Sequence, residues 1–205
     1  MEPYTTVLER SCFELEEKKS IFIGECIPVS EESEAIAFID EVKRHYPDAT
    51  HHVYAYVLRK NSTMRFSDDR EPQGTAGMPT LDAIRKSGCT DVAIVTTRYF
   101  GGTLLGTGGL VRAYTASAIG ALEKAKIITY DIYSEYTLQM SYSDHCKILP
   151  LLSKHSFRIE DTAFSDEVTV KGSIVSKSEE EFAYSLVQAT SGRIKITKIR
   201  EKFDF

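Results

Sequence analysis

The spacing of hydrophobic positions changes several times along the chain and predicts alternating strands and helices. In residues 1–130, a period of two predicts strands, and apolar residues three and four apart predict helices. The predicted elements are, in order, a hairpin over residues 4–27 with its second strand at 20–27, a helix over 30–45 capped by Ser30, a strand over 51–58, a long loop over 61–77, a helix over 79–88, a strand from residue 92, and a helix ending at about Lys126. Both faces of the strand over 51–58 are largely apolar, which is typical of a central strand. This region is therefore predicted to form a mixed sheet with three helices.

Residues 131–205 follow a different order of elements. The predicted elements are strands over residues 135–142, 157–164, 168–175 and 193–199, a helix over 144–155 interrupted at Pro150, and a helix over 179–190. The order β-α-β-β-α-β is the ferredoxin-like pattern. We therefore predict an α+β protein with two domains, residues 1–130 and residues 131–205.

One stretch of the first region places five glycines within nine residues, between a strand and a helix. They are Gly101, Gly102, Gly106, Gly108 and Gly109. Glycine loses much conformational freedom on folding, so this density indicates a tight turn or a close approach. The first N–H groups of a helix lack internal partners and the helix dipole is positive there, so such a turn can hold an anion. Arg98 precedes the turn and Arg112 follows it.

The distribution of charge agrees with a local basic surface on an acidic protein. The chain has 205 residues, is 42% hydrophobic and 27% charged, and carries a net charge of −5, as expected of an ordinary globular protein. Residues 1–72 carry a net charge of −6, residues 73–130 of +3, and residues 131–205 of −2. The basic segment contains the glycine turn, which favours an anionic ligand there.

Cysteine usage and the N-terminus predict a cytoplasmic protein without a membrane partner. The four cysteines form no C-x-x-C pair, and the first residues lack the basic and apolar segments of a secretory signal. No apolar run approaches the roughly 20 residues that span a bilayer.

Nucleotide-binding motifs are incomplete at the glycine turn. Gly101 and Gly106 have Walker A spacing, but Thr107 and Gly108 stand where Lys and Ser/Thr are required, and Val111 replaces a glycine of the dinucleotide fingerprint. Two interpretations stay open, namely glycines that serve only a tight, closely packed turn, and a site for a phosphate group or a partner's carboxylate.

Catalytic and metal-binding patterns are weak elsewhere. His51 and His52 are adjacent on a strand and point to opposite faces, so at most one can join a site with Asp68 and Asp69. No G-x-S-x-G motif is present, and Cys89 has no predictable histidine partner. The aromatic pair at residues 99–100 is placed to stack on bases beside the turn. We expect no catalytic residue, no metal and no cofactor.

Three ordered motifs resemble the YigZ/IMPACT family. They are residues 47–55 (PDATHHVYA), residues 67–79 (SDDREPQGTAGMP) and residues 96–114 (TTRYFGGTLLGTGGLVRAY). Residues 135–205 resemble the extra domain of the bacterial members. The resemblance implies that residues 1–130 have the fold of a small-subunit ribosomal protein's second domain, also found as domain IV of elongation factor G. It implies a ferredoxin-like second domain similar to domain V of that factor.

The resemblance also implies a link to translation. Eukaryotic relatives act in translational control by competing for the activator of an initiation-factor kinase, and RNA or ribosome association is the usual inference for bacterial members. Our leading hypothesis is a non-enzymatic protein that binds RNA or the ribosome. The alternatives are a protein-interaction module that uses the same surface and, with less support, an enzyme that acts on a phosphorylated small molecule.

The hypothesis assigns residues to two parts of one site. Anion or nucleic-acid contacts are expected from Arg98, Tyr99, Gly101, Gly102, Gly106, Thr107, Gly108, Gly109 and Arg112. The adjoining wall is expected from His51, His52, Asp68, Asp69 and Glu71.

Overall fold

The alternating segments of the chain become the strands of two sheets, each covered by helices. A computed structural model describes residues 2–205 and divides into two compact units, Tyr4–Thr129 and a second unit of Tyr130–Phe205 with residues 2–3. The elements are β1 (Tyr4–Val7), β2 (Ser11–Glu17), β3 (Ser20–Pro28), α1 (Glu32–His45), β4 (His51–Leu58), β5 (Thr63–Ser67), α2 (Gly77–Ser87), β6 (Val92–Tyr99), α3 (Thr107–Lys124), β7 (Ile127–Met140), α4 (Tyr142–Lys154), β8 (Arg158–Phe164), β9 (Val168–Val175), α5 (Glu179–Thr190) and β10 (Lys195–Asp204). The predicted α+β class is confirmed.

The sheet of the N-terminal unit has the order β2-β3-β6-β4-β5, and every neighbouring pair is antiparallel. The predicted mixed sheet is therefore wrong. The strands β3 and β4 run in the same direction, but β6 lies between them and is antiparallel to both. The prediction that β4 is a central strand is confirmed, because it pairs with β6 on one side and β5 on the other.

Helices cover both faces of this sheet. On one face, Ala93 and Val95 of β6 pack in a buried cluster with Phe38 and Val42 of α1. On the other face, Ile94 packs in a cluster formed with α2 and α3. Each buried Val, Ile or Phe side chain among them stabilises the fold by about 1.5–3 kcal/mol. Because side chains alternate along a strand, Arg98 at the end of β6 is expected on the same face as Ile94.

Three local predictions in this unit and the next are corrected. The helix α1 begins at Glu32 after Glu31, one residue later than a cap at Ser30, and the Glu34 carboxylate accepts hydrogen bonds from the N–H groups of Ser30 and Glu31. The predicted loop over 61–77 contains β5, a short and largely exposed edge strand that pairs with β4. The helix α4 continues through Pro150 without interruption.

The C-terminal unit confirms the ferredoxin-like order of elements. β10 pairs with β7, β7 with β9 and β9 with β8, all antiparallel. One face of this sheet packs on α4 and α5 through a buried cluster that includes Leu138, Ile148, Leu152, Phe182 and Leu186. The burial of Ile148 and Leu152 on either side of Pro150 favours a continuous helix over the loss of one N–H donor.

Two carboxylates in this unit are held by pairs of cations. The Asp144 side chain is 1% exposed and lies 2.7 Å from Arg193 and 2.9 Å from Lys147, which hold its pKa well below the usual range. On the sheet, Arg200 and Lys202 lower the pKa of Glu135 to about 2. These ion pairs stabilise the folded unit above the unfolded-state pKa of about 4, and their contribution is lost as the pH falls below it.

We predict that Asp144→Asn lowers the melting temperature at pH 7, because Arg193 and Lys147 then lose their negatively charged partner. The difference from the unchanged protein should shrink as the pH falls from about 4 to about 2, because Asp144 takes up a proton there in the unfolded chain while the native carboxylate stays charged, which favours unfolding of the unchanged protein. Circular dichroism melts across this pH range measure the effect. Asp161→Asn, an exposed position on β8, is the matched control. A difference that persists unchanged at pH 2 would contradict the assignment.

Candidate anion-binding site

The end of β6, the turn after it and the start of α3 surround a cavity of about 430 Å³. The first residue of β4 lies beside it, because His51 is paired with Arg98 in the sheet. Its polar lining includes Thr50, His51, Glu71, Arg98 and Thr107. Its apolar lining includes Phe100, Leu104, Leu105 and Leu110.

A buried ion pair between Arg98 and Glu71 forms one wall of the cavity. Arg98 Nη1 donates to Glu71 Oε1 at 2.5 Å, and the two side chains are 5% and 4% exposed. The Tyr114 hydroxyl of α3 donates to the same oxygen at 2.7 Å, and His51 Nε2 lies 3.7 Å from it. Burial, and then the nearby Glu71 carboxylate, raise the pKa of Tyr114, so its hydroxyl remains a donor.

The guanidinium group of Arg98 is held from several sides. Its Nη2 lies 3.4 Å from the Ser20 hydroxyl, and the Phe22 and Phe100 rings lie 5.3 Å and 5.5 Å from its Cζ atom. Its buried Nε atom has no hydrogen-bond partner among residues 2–205. From the sequence, Arg98 is expected to contact phosphate directly and Glu71 to form only the adjoining wall. The structure instead pairs the two, because a buried charge needs a close counter-charge.

The N-terminus of α3 is uncapped. The N-cap residue Gly106 has a φ of 74° and no side chain hydrogen-bonds to the end of the helix. Within the described residues, the N–H groups of Thr107, Gly108 and Gly109 have no hydrogen-bond partner, whereas Leu110 donates to the Gly106 carbonyl. Three free amides at the positive end of an 18-residue helix favour an anion.

Arg112 adds a positive charge at this end of α3. Its side chain is exposed and turns back over the first helical turn, where Nη1 lies 3.6 Å from the position that a Cβ atom would take on Gly108. This direction is usual, because helical side chains lean toward the N-terminus. Arg112, unlike Arg98, has no carboxylate partner among residues 2–205.

The structure explains four of the five glycines by packing or backbone conformation. A Cβ on Gly101 would overlap the main chain of Lys19, and one on Gly109 would lie 2.9 Å from Leu105 Cβ. Gly102 and Gly106 have φ values of 80° and 74°, which disfavour any side chain. Gly108 has neither constraint, so its lack of a side chain has no packing reason.

The two histidines lie on opposite sides of the sheet, as predicted. His51 lines the cavity, and its Nδ1 lies 2.8 Å from the Asp69 carbonyl oxygen. His52 instead places Nε2 3.0 Å from the Tyr46 carbonyl, and burial lowers its pKa. The His52 ring therefore does not join the cavity.

The aspartates of the second motif organise the loop before α2. The Asp68 carboxylate accepts hydrogen bonds from the N–H groups of Gly74, Ala76 and Gly77. The Asp69 carboxylate accepts one from the N–H of His52 at 2.6 Å. Neither aspartate lines the cavity, and both fix the loop that carries Glu71.

The aromatic residue at the cavity is Phe100. Tyr99 is half-buried and does not line it, because it follows Arg98 on the strand and points to the other face. Tyr114, whose hydroxyl donates to Glu71, is not among the site residues predicted from the sequence. The only signal for Tyr114 is its place at the end of the third motif, four residues after Leu110.

A larger cavity of about 540 Å³ lies between α2 and α3, and none of the predicted site residues lines it. Its lining is mostly apolar and includes Met78, Val111 and Ile119. It brings together no buried charges, so we place the candidate site at the smaller cavity. Within residues 2–205, no group of three or more His, Cys, Asp or Glu side chains is placed to hold a metal ion.

Comparison with known proteins gives matches over both units. The profile of the Impact N-terminal domain matches residues 18–122, and that of a domain of unknown function (DUF1949) matches residues 138–193. The chain is 34% identical over 191 residues to the IMPACT family member YvyE of Bacillus subtilis (strain 168), with 93% of this chain and 88% of the relative covered. The chain belongs to the IMPACT family.

Other relatives agree with membership of the IMPACT family. The IMPACT family member YigZ of Escherichia coli (strain K12) is 34% identical over 187 residues, which cover 90% of this chain and 92% of the relative. A crystal structure described as that of a hypothetical protein covers 98% of each chain with 32% identity and a TM-score of 0.61. In the part of this IMPACT family chain that the structure describes, no helix is both long and apolar enough to cross a membrane.

We predict opposite effects of alanine at two glycines of this IMPACT family motif. Gly101→Ala should lower the free energy of unfolding by about 1–3 kcal/mol, because the new Cβ overlaps the Lys19 main chain. Gly108→Ala should raise it by up to about 1 kcal/mol, because alanine favours a helix and the position is open. Urea denaturation of both variants measures the difference. Equal losses would mean that Gly108 also has a packing role.

We also predict that Arg98→Ala destabilises the protein by about 3–5 kcal/mol, because Glu71 is left buried without a counter-charge. The double variant with Arg98→Met and Glu71→Gln should lose less than the sum of the two single variants, since neither charge is then unpaired. Urea denaturation of Arg98→Met, of Glu71→Gln and of the double variant gives the coupling free energy. Strictly additive losses would count against the ion pair.

Proposed function

We propose that this chain is a non-enzymatic binding protein linked to translation control, and that it binds RNA, free or within the ribosome, at the N-terminus of α3. The observation that carries the proposal is the set of free amides at Thr107, Gly108 and Gly109 beside the exposed Arg112. Phosphate oxygens are the anions that such amides and an arginine bind in nucleic-acid complexes.

Charge supports an anionic ligand at this place. Residues 73–130 carry a net charge of +3 in a chain of −5. Because Glu71 neutralises Arg98, the free positive charge at the site belongs to Arg112 and to the helix end. In this proposal Arg112 and the amides contact phosphate directly. Arg98, His51 and Glu71 shape the wall behind them.

Membership of the IMPACT family supports the link to translation control. The four cysteines are free thiols in the structure, which supports a reducing compartment. We therefore place the protein in the cytoplasm with its RNA partner. The assignment of residues 1–130 to a ribosomal-protein-like RNA-binding domain, and of residues 131–205 to a domain that resembles domain V of elongation factor G, belongs to the same proposal.

We predict that Arg112→Ala weakens RNA binding and makes it less dependent on salt. Each phosphate contact that is lost should reduce the slope of log K against log salt by about 0.7–1, because fewer counterions are released. Fluorescence anisotropy with a labelled single-stranded RNA, at several salt concentrations, measures the slope. Arg112 is exposed, so the variant should keep its melting temperature.

The matched control is Arg44→Ala, another exposed arginine near a helix end, which lies on α1 and far from β6 in sequence. It changes the net charge equally and should leave the slope unchanged. An Arg112→Ala variant that binds RNA with the native slope would remove the α3 terminus from the mechanism. Capture of one stoichiometric protein after nuclease treatment, without RNA binding, would support the protein-interaction alternative instead.

A further inference from the structure

The cavity beside the α3 terminus contains polar atoms that RNA backbone binding does not require. The Glu71 side chain is 4% exposed, and all its hydrogen bonds and its contact with His51 end on Oε1. Its second oxygen, Oε2, accepts no hydrogen bond from residues 2–205 and is not closed off from solvent, and Glu71 lines the cavity. The buried Arg98, which also lines the cavity, has an unpartnered Nε. A buried polar atom without a partner, as at Arg98 Nε, is unusual and points to a ligand.

We propose that this cavity holds a single ribonucleotide that bears a terminal phosphate monoester, so that the protein recognises the end of an RNA strand. This proposal rests on the proposed function and specifies its ligand. The cavity of about 430 Å³ lies within the range of small-ligand sites, roughly 300–1,000 Å³. The Glu71 and Arg98 side chains close one side of the cavity. A cavity closed on one side suits the last nucleotide of an RNA strand better than a nucleotide within it.

The phosphate class follows from the number of donors. A phosphate monoester has three terminal oxygens and carries a charge of about −1.5 to −2 at pH 7. An internal phosphodiester has only two such oxygens and a single charge. Thr107 lines the cavity, and the free amides of Gly108 and Gly109 and the Arg112 side chain follow outside its lining at the same end of α3. Together these donors match the monoester. The carboxylate of Glu71 repels phosphate, so the phosphate group is expected at the α3 end.

The sugar and the base follow from the remaining lining. Glu71 Oε2 is an acceptor only, so it suits a ribose hydroxyl, which can donate a hydrogen bond. Phe100 is 45% exposed and lines the cavity together with Leu104, which is 82% exposed. An exposed aromatic ring beside an apolar side chain is a surface on which any base can stack. The site is therefore expected to distinguish the strand end and the sugar more strongly than the base.

The test is calorimetric titration of the full chain at one fixed salt concentration. The ligands are adenosine 5′-monophosphate and one short oligoribonucleotide prepared with a 5′-phosphate, with a 3′-phosphate, or with hydroxyl groups at both ends. We expect one of the two phosphorylated oligoribonucleotides to bind about tenfold tighter than the form with hydroxyl groups at both ends. Comparison of the 5′-phosphate and 3′-phosphate forms shows which end is recognised. The matching oligodeoxyribonucleotide should bind about three- to tenfold more weakly.

Leu104→Asp tests the cavity without disturbing the fold, because this side chain is largely exposed. The new carboxylate should abolish the preference for the phosphorylated end. Ile36→Asp, at a half-exposed position on α1, is the matched control and should keep it. Melting temperatures of both variants establish that they are folded.

The outcomes separate this proposal from the proposed function. Equal affinity for all three strands, with the dependence on Arg112 retained, would overturn the terminal-nucleotide site and leave RNA binding intact. Binding of the mononucleotide without binding of any strand would support the cavity and overturn the RNA function. No binding of any ligand would overturn both. If Leu104→Asp still binds the phosphorylated strand tighter than the hydroxyl form, recognition lies outside this cavity and the proposal is contradicted.

Discussion

The burial of one ion pair constrains the whole candidate site. Arg98 and Glu71 are both almost entirely removed from water, and taking two charges into the interior costs several kcal/mol per ion unless the geometry compensates it. Compensation needs three segments to meet, namely the end of β6, the loop before α2, and α3 through Tyr114. Such a pair is weak evidence for added stability, but it leaves little freedom in how these segments are arranged.

That arrangement gives the glycine motif two separate roles. Gly101 packs on the β2–β3 turn and Gly102 and Gly106 supply left-handed backbone, so they build the path from β6 to α3. Gly108 has no such packing or backbone constraint and lies in the first turn of α3, next to the Arg112 side chain. The motif thus combines a rigid support with an open helix terminus. The N–H groups of this terminus are fixed by the helix and have no partner among residues 2–205.

The same arrangement explains why the electrostatics of the site differ from a simple count of its basic residues. Arg98 is central in position but neutralised, whereas Arg112 is peripheral and free. The helix end supplies the remaining positive potential through fixed dipoles, which need no counter-ion within the protein. The positive potential at this candidate site therefore comes as much from the backbone at the start of α3 as from the arginines near it.

The sequence by itself determined the order of most helices and strands, the opposite directions of His51 and His52, and the family, because these depend on local periodicity and on motifs along the chain. Only the tertiary structure decided that β6 lies between β3 and β4, that the exposed segment at residues 63–67 pairs as an edge strand, and that Glu71 takes the charge of Arg98. These contacts join residues far apart in the chain. Strand order and packing decide which of several acidic residues pairs with a buried arginine. Neither can be inferred from the spacing of residues along the sequence.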